Sequence, residues 1–189
     1  KKQFAPDRRV ALLDVDYSFS DKNVMLRGVT TSAEAKNALL KELARKGYAV
    51  MDCLELLPDV KGLEGKTCGI INVSVANMRV APDFSSEMMT QSLMGMPVRV
   101  LQRDGWVRIQ TPDNYIAWVH RVGVHPVTEE EMAAWNKAEK IVVTAHYGFV
   151  YSEPNQTSQT VSDVVAGNRL KWEGSKGAFY KVTYPDGRR

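Results

Sequence analysis

Two cysteines and three histidines are the side chains in this sequence best suited to nucleophilic or metal chemistry: Cys53, Cys68, His120, His125 and His146. A cysteine nucleophile works as the thiolate. It therefore needs a helix N-terminus or a nearby cation, with a base in reach. Neither cysteine has that context. "VMDCLELL" around Cys53 reads as a strand with no helix after it, and "GKTCGII" around Cys68 leads into another strand. The histidines cluster late in the chain, and no His, Cys and Asp set has zinc-ligand spacing. The bond-making residues thus point to no catalytic centre, no metal and no cofactor. Cys53 and Cys68 fit two small apolar residues, and in an oxidising compartment they also fit a disulfide; two cysteines alone do not decide between these.

The elements that would position any site fall into blocks. In the first, "VALLDVDY" and "NVMLRGV" pattern as strands on either side of the turn-rich "SFSDKN". "TTSAEAKNALLKELARKG" then gathers Ala35, Ala38, Leu39, Leu40 and Leu43 on one helical face. Thr31 with Glu34 predicts a capping box at its start, and Gly47 a left-handed residue at its end. "YAVMDCLELL" completes a ββαβ unit that has no glycine-rich phosphate loop. From Gly69 onward the texture is of short strands, "IINVSVANMRV", "MPVRVLQ", "GWVRIQT" and "YIAWVH", as in a small β-barrel. Thr128 with Glu131 predicts a second capping box on a short bridging helix.

The last block repeats the barrel. Pro82 pairs with Pro154, Gly95 with Gly167, Val98 with Leu170 and Val100 with Trp172, all offset by 72 positions. After one inserted residue, Trp106 pairs with Phe179, Arg108 with Lys181, Ile109 with Val182, and Pro112-Asp113 with Pro185-Asp186. On that alignment Gly187, Arg188 and Arg189 match Asn114, Tyr115 and Ile116, and the counterparts of Ala117, Trp118 and Val119 are absent. The expectation is a second barrel without its last strand, in a chain that either continues elsewhere or was cleaved at an exposed turn. The expected organisation is an α+β block over 1–66, a first barrel over 67–126, a helical linker over 127–140 and the incomplete barrel over 141–189. The fold class is mainly β.

Composition sets limits on partners. The chain has 189 residues, is 44% hydrophobic and 25% charged, and carries a net charge of +3. Acids and bases are interspersed, with no basic stripe of the kind that binds nucleic acid. The apolar runs are too short to span a bilayer. "KKQFAPDRR" has no signal-peptide pattern and reads equally as a processed or a cloned start.

Asn77-Met78-Arg79 with Pro82, Gly95 with Val98 and Val100, Gly105-Trp106 with Ile109, and Tyr115 with Trp118-Val119 resemble the marks of the bacterial SH3 domain. The second copy is more divergent, with Phe149-Val150-Tyr151 in place of Asn-Met-Arg. A small α+β block followed by two such domains is similar to the N-terminal part of NlpC-type cysteine peptidases of the dipeptidyl-peptidase VI, or γ-D-glutamyl-L-diamino-acid endopeptidase, group. The resemblance implies a bacterial envelope or periplasmic setting, a downstream NlpC-type catalytic domain as partner, and a murein peptide as substrate. Members carry their nucleophile in an Asp-Cys-Ser-Gly phrase at a helix start, whereas Leu54 and Glu55 follow Asp52-Cys53 here. The chain is therefore expected to be the non-catalytic part, its first SH3 domain walling the substrate cleft and selecting peptides with a free N-terminal L-Ala before γ-D-Glu.

An aromatic hydroxyl and an acid at the closed end of such a cleft would bind the ammonium group. Tyr115 is the leading candidate, its alternative being an ordinary half-buried strand aromatic. Arg79 and Glu87 flank the same barrel's opening loop and are otherwise solvated charges. Relatives often carry a Glu close to the position of Pro82, where this sequence has Val80 and Ala81. Trp106 and Trp118 read as core or groove wall, and Met88, Met89, Met94 and Met96 as packing. A competing function is an anchor that binds peptidoglycan. A third, polyproline docking, lacks an aromatic groove flanked by acids.

Overall fold

A computed structural model describes residues 4–188. The first block is a three-stranded sheet of β1 (Leu13–Ser20), β2 (Asn23–Thr30) and β3 (Ala49–Leu56), in that order, with α1 (Ala33–Arg45) as the crossover. β1 and β2 form an antiparallel hairpin, and β3 runs parallel to β2. The strand register places Phe19 and Ser20 inside β1, so the turn shrinks to Asp21-Lys22, with Asp21 left-handed at φ 53°. Of "VALL" only Leu13 is in the strand, and Leu12 is buried against the next block.

The helix start differs by one residue from the sequence expectation. Ser32 is the N-cap, accepting from the Ala35 amide at 3.0 Å, and no capping box forms. Thr31 is taken: its hydroxyl accepts from the Leu12 amide at 3.0 Å. The helix end matches, with Gly47 at φ 80° and the Tyr48 amide donating to Leu43 O in the Schellman pattern.

The middle block is a seven-stranded sheet built from β4 (Cys68–Ile71), β5 (Val75–Arg79), β6 (Met88–Leu93), β7 (Pro97–Asp104), β8 (Trp106–Gln110), β9 (Ile116–His120) and β10 (Val124–Val127). Its order is β10-β4-β7-β8-β9-β5-β6. The sheet wraps one core to which Ile71, Met78, Val100, Val107, Ile109 and Val119 contribute. Among the described residues hydrogen bonding leaves β10 and β6 as open edges, so the expected barrel is not closed. A short 3-10 turn, Arg121–Gly123, joins β9 to β10. α2 (Glu129–Lys137) opens with the expected Thr128–Glu131 capping box and packs Met132 and Trp135 on Ile70 and Val127.

The last block contains β11 (Lys140–Val142), β12 (Tyr147–Tyr151), β13 (Thr160–Val165), β14 (Arg169–Lys176) and β15 (Phe179–Thr183). The repeat holds at the level of individual hydrogen bonds. The bulge between Met78 and Arg79 recurs between Val150 and Tyr151, and the one between Val100 and Gln102 recurs between Trp172 and Gly174. The Gly95 amide donates to Ile71 O at 2.8 Å, and the Gly167 amide to Val143 O at 2.8 Å. Among the described residues the strand connections differ in one place. In the middle block β9 joins β8 to β5, whereas here the strands split into β11-β14-β15 and β12-β13.

The two repeats pack at their glycine turns. Met94 is buried in the core of the last block beside Val164, Leu170, Val182 and Tyr184. The Arg169 amide donates to Met94 O at 3.0 Å, and the Trp135 indole donates to Gly95 O at 3.3 Å. Asn168, fully buried, donates to Ser74 O at 2.8 Å, and Ser74 donates to Asp163 at 2.7 Å.

Candidate functional site

The N-terminal segment lies across the outer side of β8 and β9. The Ile116 amide donates to Arg9 O at 2.6 Å, and Leu12, Leu57, Leu101 and Ile116 bury one another beneath it. This junction leaves a cavity of about 450 Å³. Its walls include Asp7, Arg8 and Arg9 from the segment, Glu87 just before β6 with Met88 and Met89 on it, and Arg108 on β8, Tyr115 just before β9 and Trp118 on it.

Tyr115 leads into β9 from a tight turn. The Thr111 amide donates to Tyr115 O at 3.0 Å, the Asn114 amide donates to Thr111 O at 2.9 Å, and Asn114 is left-handed at φ 70°. The Tyr115 ring is half-buried, with the Arg9 guanidinium 5.9 Å from its centroid. Glu87 is exposed on the other wall. Two of the three sequence candidates therefore meet at one cavity. Arg79 does not: it donates to Ser86 O at 2.5 Å across the Val80–Glu87 loop. Its part is to close that loop, which in turn carries Glu87.

Arg108, which the sequence marks only as a repeat position, is the most enclosed charge in the cavity. It sits directly opposite Trp118 in the β8–β9 register, with the guanidinium 5.1 Å from that ring. Its side chain is 15% exposed, its Nε has no hydrogen-bond partner among the described residues, and Asp14 approaches at 3.8 Å. Burial pulls its pKa below the usual arginine value; Asp14 opposes that pull and Arg8 adds to it. Even so, a guanidinium stays protonated at any ordinary pH. The signal for it was available: Arg108 alternates with the buried Val107 and Ile109, and so faces outward beside Trp118.

The acids are unequal. Arg9 holds Asp7 through side-chain hydrogen bonds, its backbone amide helping, and its pKa falls to about 2. Asp7 is thus ionised and already paired, while Glu87 faces the cavity from an exposed position. Three guanidinium and two carboxylate groups around one space suit a small ligand carrying both charges better than a bulk polyanion.

The cysteines have no such setting. Cys53 is exposed on β3 and Cys68 is half-buried on β4, both as free thiols in strands. Burial, with Glu129 nearby, pushes the Cys68 thiol up, away from thiolate. Among the described residues no three His, Cys, Asp or Glu side chains gather closely enough to hold a metal ion, and no helix is long and apolar enough to cross a membrane. His120 packs with Phe84 and Trp106 at ring separations of 5.0 and 5.3 Å, an aromatic group on the surface of the middle block.

Residues 78–122 match the family model described as the bacterial dipeptidyl-peptidase SH3 domain. Among solved structures, an NlpC/P60 family protein from Bacillus cereus shares the fold with a TM-score of 0.52 at 20% identity, over 64% of this chain and 52% of that one. An NlpC/P60 endopeptidase from Photobacterium damselae subsp. piscicida aligns over 82% of this chain and 37% of its own, at 12% identity and a TM-score of 0.48. This chain thus spans about half, or less, of the length of these proteins. No curated protein sequence matches it.

Proposed function

We propose that this chain is the non-catalytic part of a bacterial cell-wall peptidase, acting outside the cytoplasm beside an NlpC-type catalytic domain. Its cavity holds the free amino end of a murein stem peptide. The observation that carries this reading is the convergence of Tyr115 and Glu87 with Arg108 and Trp118 on one cavity at the edge of the SH3-like block. In L-Ala-γ-D-Glu the Ala ammonium lies close to the free α-carboxylate of the Glu. Glu87 and the Tyr115 hydroxyl would take the ammonium, and Arg108 would pair the carboxylate. Arg79 supports the loop beneath Glu87 rather than touching the peptide. In an intact glycan-linked stem the L-Ala amine is tied up as an amide, so the mixed-charge wall discriminates against it.

The experiment is steady-state hydrolysis of L-Ala-γ-D-Glu-diamino-acid peptide. This chain alone should give no turnover, for want of a Cys–His pair. Joined to an NlpC-type domain, it should cleave, and Tyr115→Phe should raise KM several-fold with kcat little changed. Unchanged specificity after deletion of residues 67–126 would reject the gating role.

A second reading, peptidoglycan anchoring, has one observation in its favour. Phe84 is 67% exposed and stacks with Trp106 at 4.8 Å, a surface able to lie against sugar rings. Retention on insoluble sacculi that is lost in Phe84→Ala would favour it.

A further inference from the structure

The three-stranded sheet of the first block has one face toward α1 and one face away from it. Asp52 marks the helix face: its carboxylate meets Lys36 of α1 at 2.9 Å, and Leu54, two residues on, is buried. Met51 and Cys53 alternate with these residues along β3, so they lie on the other face. Met25 shares that face, because it is the direct partner of Met51 in the parallel β2–β3 register. Met51 is 57% exposed, Cys53 is an exposed free thiol, and Met25 is half-buried. Their neighbours there are polar. Ser18 is opposite Met25, and Arg27 stands between Asp16 and Cys53.

Three sulfur side chains thus occupy adjacent positions on one sheet. Met25 and Met51 are one strand spacing apart, about 4.8 Å, and Cys53 is about 6.6 Å along β3 from Met51. A methionine side chain has three rotatable bonds. Both thioethers can therefore reach the shorter cysteine side chain without backbone movement. The β2–β3 ladder runs without a register shift from Asn23–Ala49 to Thr30–Leu56, and it fixes the three backbones relative to one another.

We infer that Met25, Met51 and Cys53 form a binding site for a soft monovalent cation, Cu(I). Donor type decides the metal. Calcium and magnesium take oxygen ligands, and the carboxylate nearest in sequence, Asp52, is on the helix face with Lys36. Structural zinc takes four Cys, His or carboxylate ligands, and iron–sulfur clusters take four cysteines. Two thioethers and one thiolate instead match the soft-ligand preference of Cu(I). On binding, the Cys53 S–H bond breaks, the sulfur electron pair goes to the metal, and the proton leaves to solvent. The copper stays Cu(I) throughout. One thiolate balances one positive charge, whereas a divalent ion would leave a net charge beside the Arg27 guanidinium. The site is separate from the peptide cavity. Met25 lies four residues along β2 from Val29, about 13 Å from where this face packs on the middle block, and the inference does not depend on the peptide reading.

The test is anaerobic competition for Cu(I) between the full chain and a chromogenic Cu(I) chelator, with mass in solution measured alongside. The chain should retain one copper per monomer and gain an ultraviolet thiolate-to-copper band. Cys53→Ser should abolish both, and Cys68→Ser should change neither. Met25→Leu and Met51→Leu nearly conserve volume, and each should weaken retention by roughly tenfold or more. Met51 is on the surface, so its variant keeps the fold, and urea unfolding of the metal-free proteins checks this for all four. Four results would overturn the proposal: no copper retained, retention lost in Cys68→Ser, both methionine variants equal to wild type, or copper held only between the Cys53 thiols of two chains in a dimer.

Discussion

Replacing Gly95 by alanine tests the claim that the two repeats dock through their glycine turns. A Cβ at Gly95 would lie 2.2 Å from the backbone oxygen of Arg169, and the residue sits at φ 84°. A left-handed alanine costs roughly 1–2 kcal/mol. Forcing an extra carbon against fixed backbone costs about 1–3 kcal/mol more. The alternative is for the repeats to separate. That gives up the Arg169–Met94 hydrogen bond, worth about 1 kcal/mol, and the burial of Met94, worth about 1.5–3 kcal/mol. Either route costs a few kcal/mol. Gly105→Ala supplies the control, because Gly105 is also left-handed, at φ 67°, but has nothing within 4 Å of its would-be Cβ. Urea unfolding of both variants isolates the clash as their difference, about 1–3 kcal/mol. Hydrogen exchange should show the Arg169 amide opening only in Gly95→Ala. If the two variants lose the same stability and Arg169 stays protected in both, the glycine contact does not dock the repeats.

Other perturbations act elsewhere. Leu101, fully buried where the N-terminal segment meets β9, should cost about 2–5 kcal/mol as Leu101→Ala and loosen the cavity wall, visible as faster exchange at Ile116. Asp186 is held below its usual pKa: burial alone would raise it, but hydrogen bonds from Asn72 and Arg188 outweigh that. A depressed carboxylate contributes stability above its unfolded pKa and loses it as pH falls through the folded value. Wild type should therefore lose thermal stability below about pH 4, and Asp186→Asn should lose less over that range; parallel pH profiles would contradict the assignment. Iodoacetamide at neutral pH should label exposed Cys53 well before Cys68, and mass mapping of early time points would detect the reverse order.

The parts of this molecule that were legible in the sequence are those fixed by local or repeated chemistry. Thr128 and Glu131 specify the start of α2 within four residues, and Gly47 specifies the end of α1. The repeat, offset by 72 and then by 73 positions, carried much of the strand plan of the last block, because turn glycines and inward apolar positions recur together. Thr31 does not cap α1 because its hydroxyl is claimed by Leu12, a contact 19 residues away in sequence. β6 has no local signature: "MMTQSL" lacks apolar alternation and is held mainly by pairing with β5. At the cavity, Tyr115 and Glu87 could be chosen singly. Their convergence with Arg9 and Arg108 depends on the N-terminal segment crossing β9, which no short pattern encodes. Arg79 belongs to the motif by position, but its guanidinium serves the loop.

Whether the cavity reads a free amino terminus can be measured directly. Calorimetric titration of this chain with L-Ala-γ-D-Glu-diamino-acid peptide, and with the same peptide N-acetylated, isolates the ammonium. The free peptide should bind, acetylation should weaken binding at least tenfold, and Glu87→Gln with Tyr115→Phe should remove most of that difference. Equal affinity for the two peptides, or a preference for the acetylated one, would contradict a site built around Tyr115 and Glu87.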